Sequence, residues 1–180
     1  MPRAIVNFIF YIPGLINTVY KKAQKSVFID VLVEKVAQVI GYEATLADVA
    51  WNVKVLENHS FKFKFKGYND KLGYFISKLF GIVKDLGTNG LQESESFLVE
   101  NAIEKMTKEY RNLNVDINSH TTYNRYLLLL EDQYHGDVIA QTLVEHKEQI
   151  KQEIMTTFVR SCLSEIRFTK IFMTGNLKAE

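Results

Sequence analysis

Cysteine and proline are almost absent from this sequence. Its 180 residues contain one cysteine, Cys162, and two prolines, Pro2 and Pro13. A single cysteine excludes an internal disulfide and is typical of a reducing compartment, so we expect a cytoplasmic location. The lack of Pro-rich linkers and internal repeats predicts one domain over residues 1–180, a length sufficient for a hydrophobic core.

The chain also lacks long apolar runs and any marked excess of charge. No run approaches the roughly 18 apolar residues that a membrane span requires, so we expect no membrane partner. Residues 4–16 are largely apolar, but Asn7 interrupts them and no small-residue cleavage site follows, which argues against a signal peptide. Lys and Arg total 22 against 21 Asp and Glu, and the net charge of +1 gives no support for a nucleic-acid partner.

Catalytic and metal-binding motifs are missing as well. No two of the four histidines lie three to five residues apart, so no local zinc pair exists; they are His59, His120, His135 and His146. Residues 142–146, Thr-Leu-Val-Glu-His, resemble an inverted zinc motif, but Thr142 stands where the first histidine is needed. A neutral hydroxyl is a poor zinc ligand, so we predict no catalytic, cofactor-binding or metal-binding residue in this chain.

The most informative stretch that is present is Phe61–Lys66, where Phe and Lys alternate strictly. Only a β-strand sends successive side chains to opposite faces, so the three phenylalanines share one face and the three lysines the other. One face must therefore be buried and one solvated, as in an antiparallel sheet covered on one side. Gly67 should end the alternation, and Asn69-Asp70 should lead into a helix.

Patterns elsewhere predict further strands and helices. Strands are expected at residues 4–11, 51–55 and 167–173, and residues 57–60 should form a hairpin turn between two strands. Apolar residues spaced three and four apart predict helices at residues 42–49, 72–86, 94–113, 121–134, 137–144 and 147–163, besides a long first helix. This interleaving predicts an α+β fold with an antiparallel-rich sheet and helices packed on one face.

Several helix ends carry specific expectations. Asn17 or Thr18 should cap the first helix, which should reach Gly41 with Val39 on its apolar face. Gly87 should close the helix that begins at Leu72. Ser94 or Ser96 should cap the next helix, with Phe97 directed inward.

Two segments resemble a known family in order and spacing. Residues 42–51, Tyr-Glu-Ala-Thr-Leu-Ala-Asp-Val-Ala-Trp, precede the hairpin, and residues 66–71, Lys-Gly-Tyr-Asn-Asp-Lys, follow it. Together they resemble the middle, non-catalytic domain of the insulinase/pitrilysin zinc metallopeptidase family, which includes insulin-degrading enzyme and nardilysin. Residues 2–11 resemble the strand that precedes the long helix of that domain, and residues 167–176 resemble the strand that closes it. Asp48, where the family usually has Gly, departs from the pattern, as does Ala50-Trp51 in place of Ser-Tyr.

The resemblance implies a non-catalytic structural domain that helps to form the peptide chamber of a zinc metalloendopeptidase. Its partners would be the remaining domains of the protease and peptide substrates. Zinc would belong to the catalytic domain of the parent, so the chain alone would hold no cofactor and be inactive. The resemblance also implies that the chain begins after the start of the domain, and a sheet lacking strands has unpaired edges that invite association.

Two alternatives remain open from the sequence. The chain could be a stand-alone peptide- or protein-binding regulatory module that captures a peptide at an exposed sheet edge. It could also bind nucleic acid through Lys62, Lys64 and Lys66, although a solvated sheet face explains those lysines more simply.

Overall fold

A computed structural model describes residues 3–13, 18–56, 60–114, 117–129 and 133–175. Within these ranges, four strands form one antiparallel sheet in the order β2-β3-β1-β4. They are β1 (Arg3–Tyr11), β2 (Ala50–Leu56), β3 (Ser60–Tyr68) and β4 (Phe168–Gly175). The helices pack on one face of this sheet, so the predicted α+β class is confirmed. They are α1 (Val19–Val36), α2 (Tyr42–Leu46), α3 (Asn69–Asn89), α4 (Ser96–Arg111), α5 (Ile117–Leu129), α6 (Gly136–Glu145), α7 (Lys147–Thr156) and α8 (Phe158–Ser164).

The hydrophobic core lies between the helices and the inner face of the sheet. Phe80 of α3 contacts Phe8 of β1 edge to face, with ring centroids 5.0 Å apart. Phe28 of α1 meets Phe61 of β3 at 6.1 Å in the same manner. Because edge-to-face pairs add to the gain from burial, these contacts fix the helices on the sheet.

The first helix begins as predicted, but its buried face shifts near its end. The hydroxyl of Thr18 accepts a hydrogen bond from the Lys21 amide at 3.2 Å, which confirms Thr18 as the N-cap. Residues Ala37–Gly41 form a π-helical turn between α1 and α2. The wider turn shifts the helical phase, so Ile40 is buried and Val39 is 50% exposed. The prediction for Val39 is therefore wrong, and Gly41 lies within a continuous helical segment.

Glycines explain two differences around β3 and α3. Gly67 does not end the strand but pairs with Ala4 of β1. Helix α3 runs past Gly87 to Asn89 and ends at Gly90, which has φ 72 and donates to the Leu86 carbonyl at 3.0 Å. Gly87 instead lies against α8, where an added Cβ would stand 2.5 Å from Cδ1 of Leu163. The prediction that Gly87 caps the helix is wrong, because α3 continues for two residues beyond it.

Helix α4 starts without either predicted serine cap. Gln92 and Glu95 form a reciprocal capping box around a short 3₁₀ turn, so Ser94 and Ser96 are not caps. The buried face of α4 passes through Leu98, Val99, Ala102 and Ile103. Phe97 lies outside this face and is exposed, contrary to the prediction.

The later helices differ mainly in their limits. Helix α5 begins at Ile117, earlier than predicted, and its described part ends at Leu129. The single helix predicted for residues 147–163 is two helices, because Thr157, with φ −121, interrupts the helical backbone. The hairpin turn at 57–59 and Asn17 lie outside the described residues.

Candidate interaction surface

Strand β3 divides the sheet into two chemically different faces. Phe61, Phe63 and Phe65 are buried beneath the helices, whereas Lys64 and Lys66 are exposed on the outer face. The sequence alternation therefore predicted the faces correctly. Near the end of β3, Gly67 allows the Asp48 backbone to approach closely, because an added Cβ would stand 3.2 Å from the Asp48 carbonyl oxygen.

Strand β4 is the least protected strand of the sheet. Every residue from Phe168 to Gly175 is exposed, although β4 pairs along its length with β1. By register, Ile171 and Met173 lie on the helix-side face, opposite Phe8 and Val6, yet they are 53% and 62% exposed. Within the described parts of the chain no helix covers them, and the outer edge of β4 has no paired strand. An apolar edge strand of this kind is a surface for association.

The outer face of the sheet carries positive charge without acidic residues. None of the four strands contains an Asp or a Glu, and their six cationic residues all project to this face by register; they are Arg3, Lys54, Lys62, Lys64, Lys66 and Lys170. The rest of the chain thus holds 16 of the 22 basic residues and all 21 acidic ones. Lys54 lies directly opposite Lys62, an arrangement of like charges that destabilises a sheet.

Neutral groups complete this outer face. The ring of Tyr11 stacks on the ring of Phe168 with centroids 4.8 Å apart. Phe172, four residues further along β4, is exposed on the same face. Asn7 lies between Lys64 and Phe172 on the paired strands. Its Oδ1 atom is buried and has no hydrogen-bond partner among the described residues. A buried acceptor without a donor costs free energy, so Asn7 lowers the stability of the free domain.

An apolar cavity of about 270 Å³ lies on the other side of the sheet, between α1, α3 and α8. Phe10, Phe63 and Cys162 contribute to its walls, and Lys84 stands beside it. Burial raises the pKa of the Cys162 thiol to about 12, because a thiolate loses its hydration there. At neutral pH this cysteine is therefore a protonated core residue and not a nucleophile.

The histidines and the near-zinc sequence are occupied in other ways. The hydroxyl of Thr142 donates to the Val138 carbonyl at 2.8 Å, inside α6. His146 stands between α6 and α7 and packs its ring on Tyr20 at 5.4 Å. His135 caps α6 by accepting the Asp137 amide at 3.3 Å; His59 lies outside the described residues.

A structural zinc or catalytic zinc requires three or four converging ligands. Across the described ranges, no group of three or more His, Cys, Asp or Glu side chains could hold a metal ion. The residues in those ranges therefore do not fit the zinc ion of the family. Among the described helices, none combines the length and the apolar character that crossing a bilayer requires.

Sequence reasoning found part of the outer surface and missed the rest. Lys62, Lys64 and Lys66 were evident because they alternate along one strand. Lys54 and Lys170 could not be assigned to the same surface from the sequence, since only the strand order and register place them beside the other lysines. The exposure of β4 on both faces was also missed, although its weak alternation was a signal.

Comparison with known proteins agrees with this fold. The family described as the middle or third domain of peptidase M16 matches residues 1–142. A nardilysin-like protein of Arabidopsis thaliana is 25% identical over the whole chain, which spans only 16% of that relative. The chain thus corresponds to about a sixth of the curated relative.

Solved structures with the same fold come from three proteases. Pitrilysin aligns with a TM-score of 0.70 and 12% identity over 98% of this chain and 17% of its own. The periplasmic protease PqqL of Escherichia coli aligns at 0.60 and 15% identity, over 96% of this chain and 19% of its own. A putative zinc protease of Bordetella pertussis Tohama I aligns at 0.58 and 9% identity, over 96% of this chain and 92% of its own. The resemblance to the insulinase and pitrilysin middle domain is confirmed, and the chain belongs to the peptidase M16 family as a middle or third domain.

Proposed function

We propose that the chain is a non-catalytic structural domain of a zinc metalloendopeptidase, where it forms part of the chamber that confines peptide substrates. The observation that carries this proposal is that the apolar side chains of β4 are about half exposed along the length of the strand. Burial of exposed side chains such as Ile171 and Met173 contributes about 25 cal/mol per Å² of apolar surface, so β4 gains stability when covered. The remaining domains of the protease are the partner that covers it.

The proposal assigns catalysis and zinc to another domain of the parent protein. Its supports are the family membership and the chain's span of 16% of its nardilysin-like relative. Residues 1–180 act as one such domain, and the single buried thiol of Cys162 favours a cytoplasmic location.

The test introduces Ile171→Lys and Met173→Lys together into the gene, so that every polypeptide that contains this chain in the cell carries both substitutions. Material is precipitated with an antibody against residues 96–111, and chelator-sensitive peptide hydrolysis is measured. We expect activity with the wild type and its loss with the double variant, because two ammonium groups prevent burial of β4. Leu128→Lys is the control, since Leu128 is 86% exposed on α5, away from the sheet. Wild-type material without chelator-sensitive activity would refute the proposal.

A stand-alone peptide- or protein-binding regulatory module is the second candidate. The solved Bordetella pertussis chain, 92% of which aligns, shows this fold in a chain of similar length. Peptide capture by a 20.8 kDa product without associated hydrolysis would favour this candidate.

A further inference from the structure

From the outer face of the sheet we infer a binding site for an extended, acidic segment of polypeptide. The inference rests on the proposed function, because it names the class of peptide that the domain holds within a peptidase. The inner face of β4 and the free edge serve docking to other domains. The outer face serves the peptide.

The charge distribution provides the first argument. Five lysines lie on the outer face with no ion pair among the described residues, and only Arg3 has an acidic partner, Asp48. Lys54 and Lys62 oppose each other, which costs stability in the free domain. A face that combines such repulsion with the absence of any strand Asp or Glu is complementary to an anionic ligand.

The spacing of the lysines identifies the form of that ligand. Side chains on one face of a strand repeat at about 7 Å, so the ammonium groups of Lys62, Lys64 and Lys66 form a row with this period. An extended peptide has the same repeat, and Asp or Glu at every second position therefore places one carboxylate near each lysine. A helical ligand returns to the same face once per turn, at about 5.4 Å, which matches the lysine row less well.

The small net charge of the chain favours a polypeptide over a nucleic acid. Phe168 and Phe172 border the lysine rows and offer contact to an apolar side chain of the peptide. The net charge of +1 gives no long-range attraction to a polyanion as large as a nucleic acid.

Fluorescence anisotropy with the 180-residue chain tests the inference. The probe is a labelled peptide with Glu at alternate positions, Thr between them and one terminal Phe. The matched peptide has Gln in place of every Glu, and an oligothymidylate of equal charge represents nucleic acid. We expect binding of the Glu peptide that weakens with added salt, and no comparable binding of the Gln peptide.

Charge reversal then locates the site. Lys62→Glu with Lys64→Glu should weaken binding of the Glu peptide by about tenfold or more, whereas arginine at both positions should preserve it. Lys84→Glu with Lys108→Glu is the matched control, because it makes the same charge change on exposed positions of α3 and α4. Thermal unfolding of each variant establishes that the fold is retained.

Three results would overturn the inference: no binding of the Glu peptide, equal weakening by the control pair, or tighter binding of the oligothymidylate with the same dependence on Lys62 and Lys64. None of these would refute the proposed function, which fails if the precipitated material lacks chelator-sensitive hydrolysis. Conversely, if the domain binds the Glu peptide but associates with no protease, the proposed function fails and the inferred peptide site stands as that of a free module.

Discussion

Arg3 and Asp48 join the start of β1 to the turn that precedes β2. Nη2 of Arg3 donates to Oδ2 of Asp48 at 2.5 Å, and both side chains are more than half exposed. Asp48 has φ 53, the one positive value at a non-glycine residue in the described ranges. The resemblance implies glycine at this position, which agrees with a left-handed turn. Aspartate tolerates this conformation better than most residues.

Substitutions at Asp48 should therefore report backbone strain. Asp48→Val should lower the free energy of unfolding by about 1–2 kcal/mol, because a β-branched residue is poorly tolerated in the left-handed region. Asp48→Gly should leave stability unchanged or raise it. Chemical denaturation measures both. Arg3→Ala removes the exposed ion pair and the contact of the guanidinium with the Tyr68 ring at 5.3 Å, which together should contribute less than the backbone strain. If Arg3→Ala cost as much as Asp48→Val, the contacts of Arg3 and not the backbone conformation would account for the loss of stability.

The two faces of β3 should respond differently to the same new charge. Phe63→Asp places an unpaired carboxylate in the core, where Phe63 is 5% exposed, and should cost about 4 kcal/mol or more. Lys64→Asp on the outer face should stay within about 0.5 kcal/mol. Equal losses in a urea titration would mean that the faces have been assigned wrongly.

Gly87 and Gly81 offer a matched pair on α3. An added Cβ at Gly81 meets nothing within 4 Å, so Gly81→Ala should stabilise the helix by about 0.5–1 kcal/mol. Gly87→Ala should gain less than Gly81→Ala, because its Cβ would stand 2.5 Å from Cδ1 of Leu163 and this partly exposed side chain must turn away.

A double-mutant cycle checks the cause of the smaller gain at Gly87. If crowding against Leu163 is responsible, Gly87→Ala should stabilise the Leu163→Ala protein as much as Gly81→Ala stabilises the wild type. Additive effects in thermal unfolding would contradict this explanation.

Cys162 should make stability fall at alkaline pH. Its thiol has a pKa of about 12 in the folded protein against 9.0 as the ordinary value, so above pH 9 the unfolded chain releases a proton that the folded one retains. The stabilisation is complete below pH 9 and is lost as the pH rises toward 12, at about 1.4 kcal/mol per pH unit.

The comparison of wild type with Cys162→Ala isolates this contribution from other groups that titrate in the same range. We expect the difference in unfolding free energy between the two proteins to change by about 1 kcal/mol from pH 9 to pH 10. Parallel stability curves across that range would show that the thiol is not buried in the folded protein.

The sequence predicted those features that depend on neighbouring residues along the chain. The Phe and Lys alternation identified β3 and its two faces because strand side chains alternate locally. Thr18 was a correct cap because its hydroxyl needs only the amide of Lys21, three residues on. The family resemblance likewise rested on short contiguous segments on either side of the hairpin.

Features that depend on distant contacts were not predictable in the same way. Helix α3 ends not at Gly87 but at Gly90, where the next residue, Leu91, donates to the distant Met155 carbonyl at 3.0 Å. The π-helical turn rotated Val39 outward, and no simple period of 3.6 residues anticipates that shift. The candidate site was incomplete for the same reason, since Lys54 and Lys170 join the outer face only through register.

The size of the native polypeptide tests the central claim most directly. An immunoblot of cell extract with an antibody against residues 96–111 measures it. The curated relative is about six times longer than this chain, which spans 16% of it, so the account predicts a band several times larger than 20.8 kDa. A single band at 20.8 kDa would contradict the account, since the domain would then exist without the remainder of a peptidase.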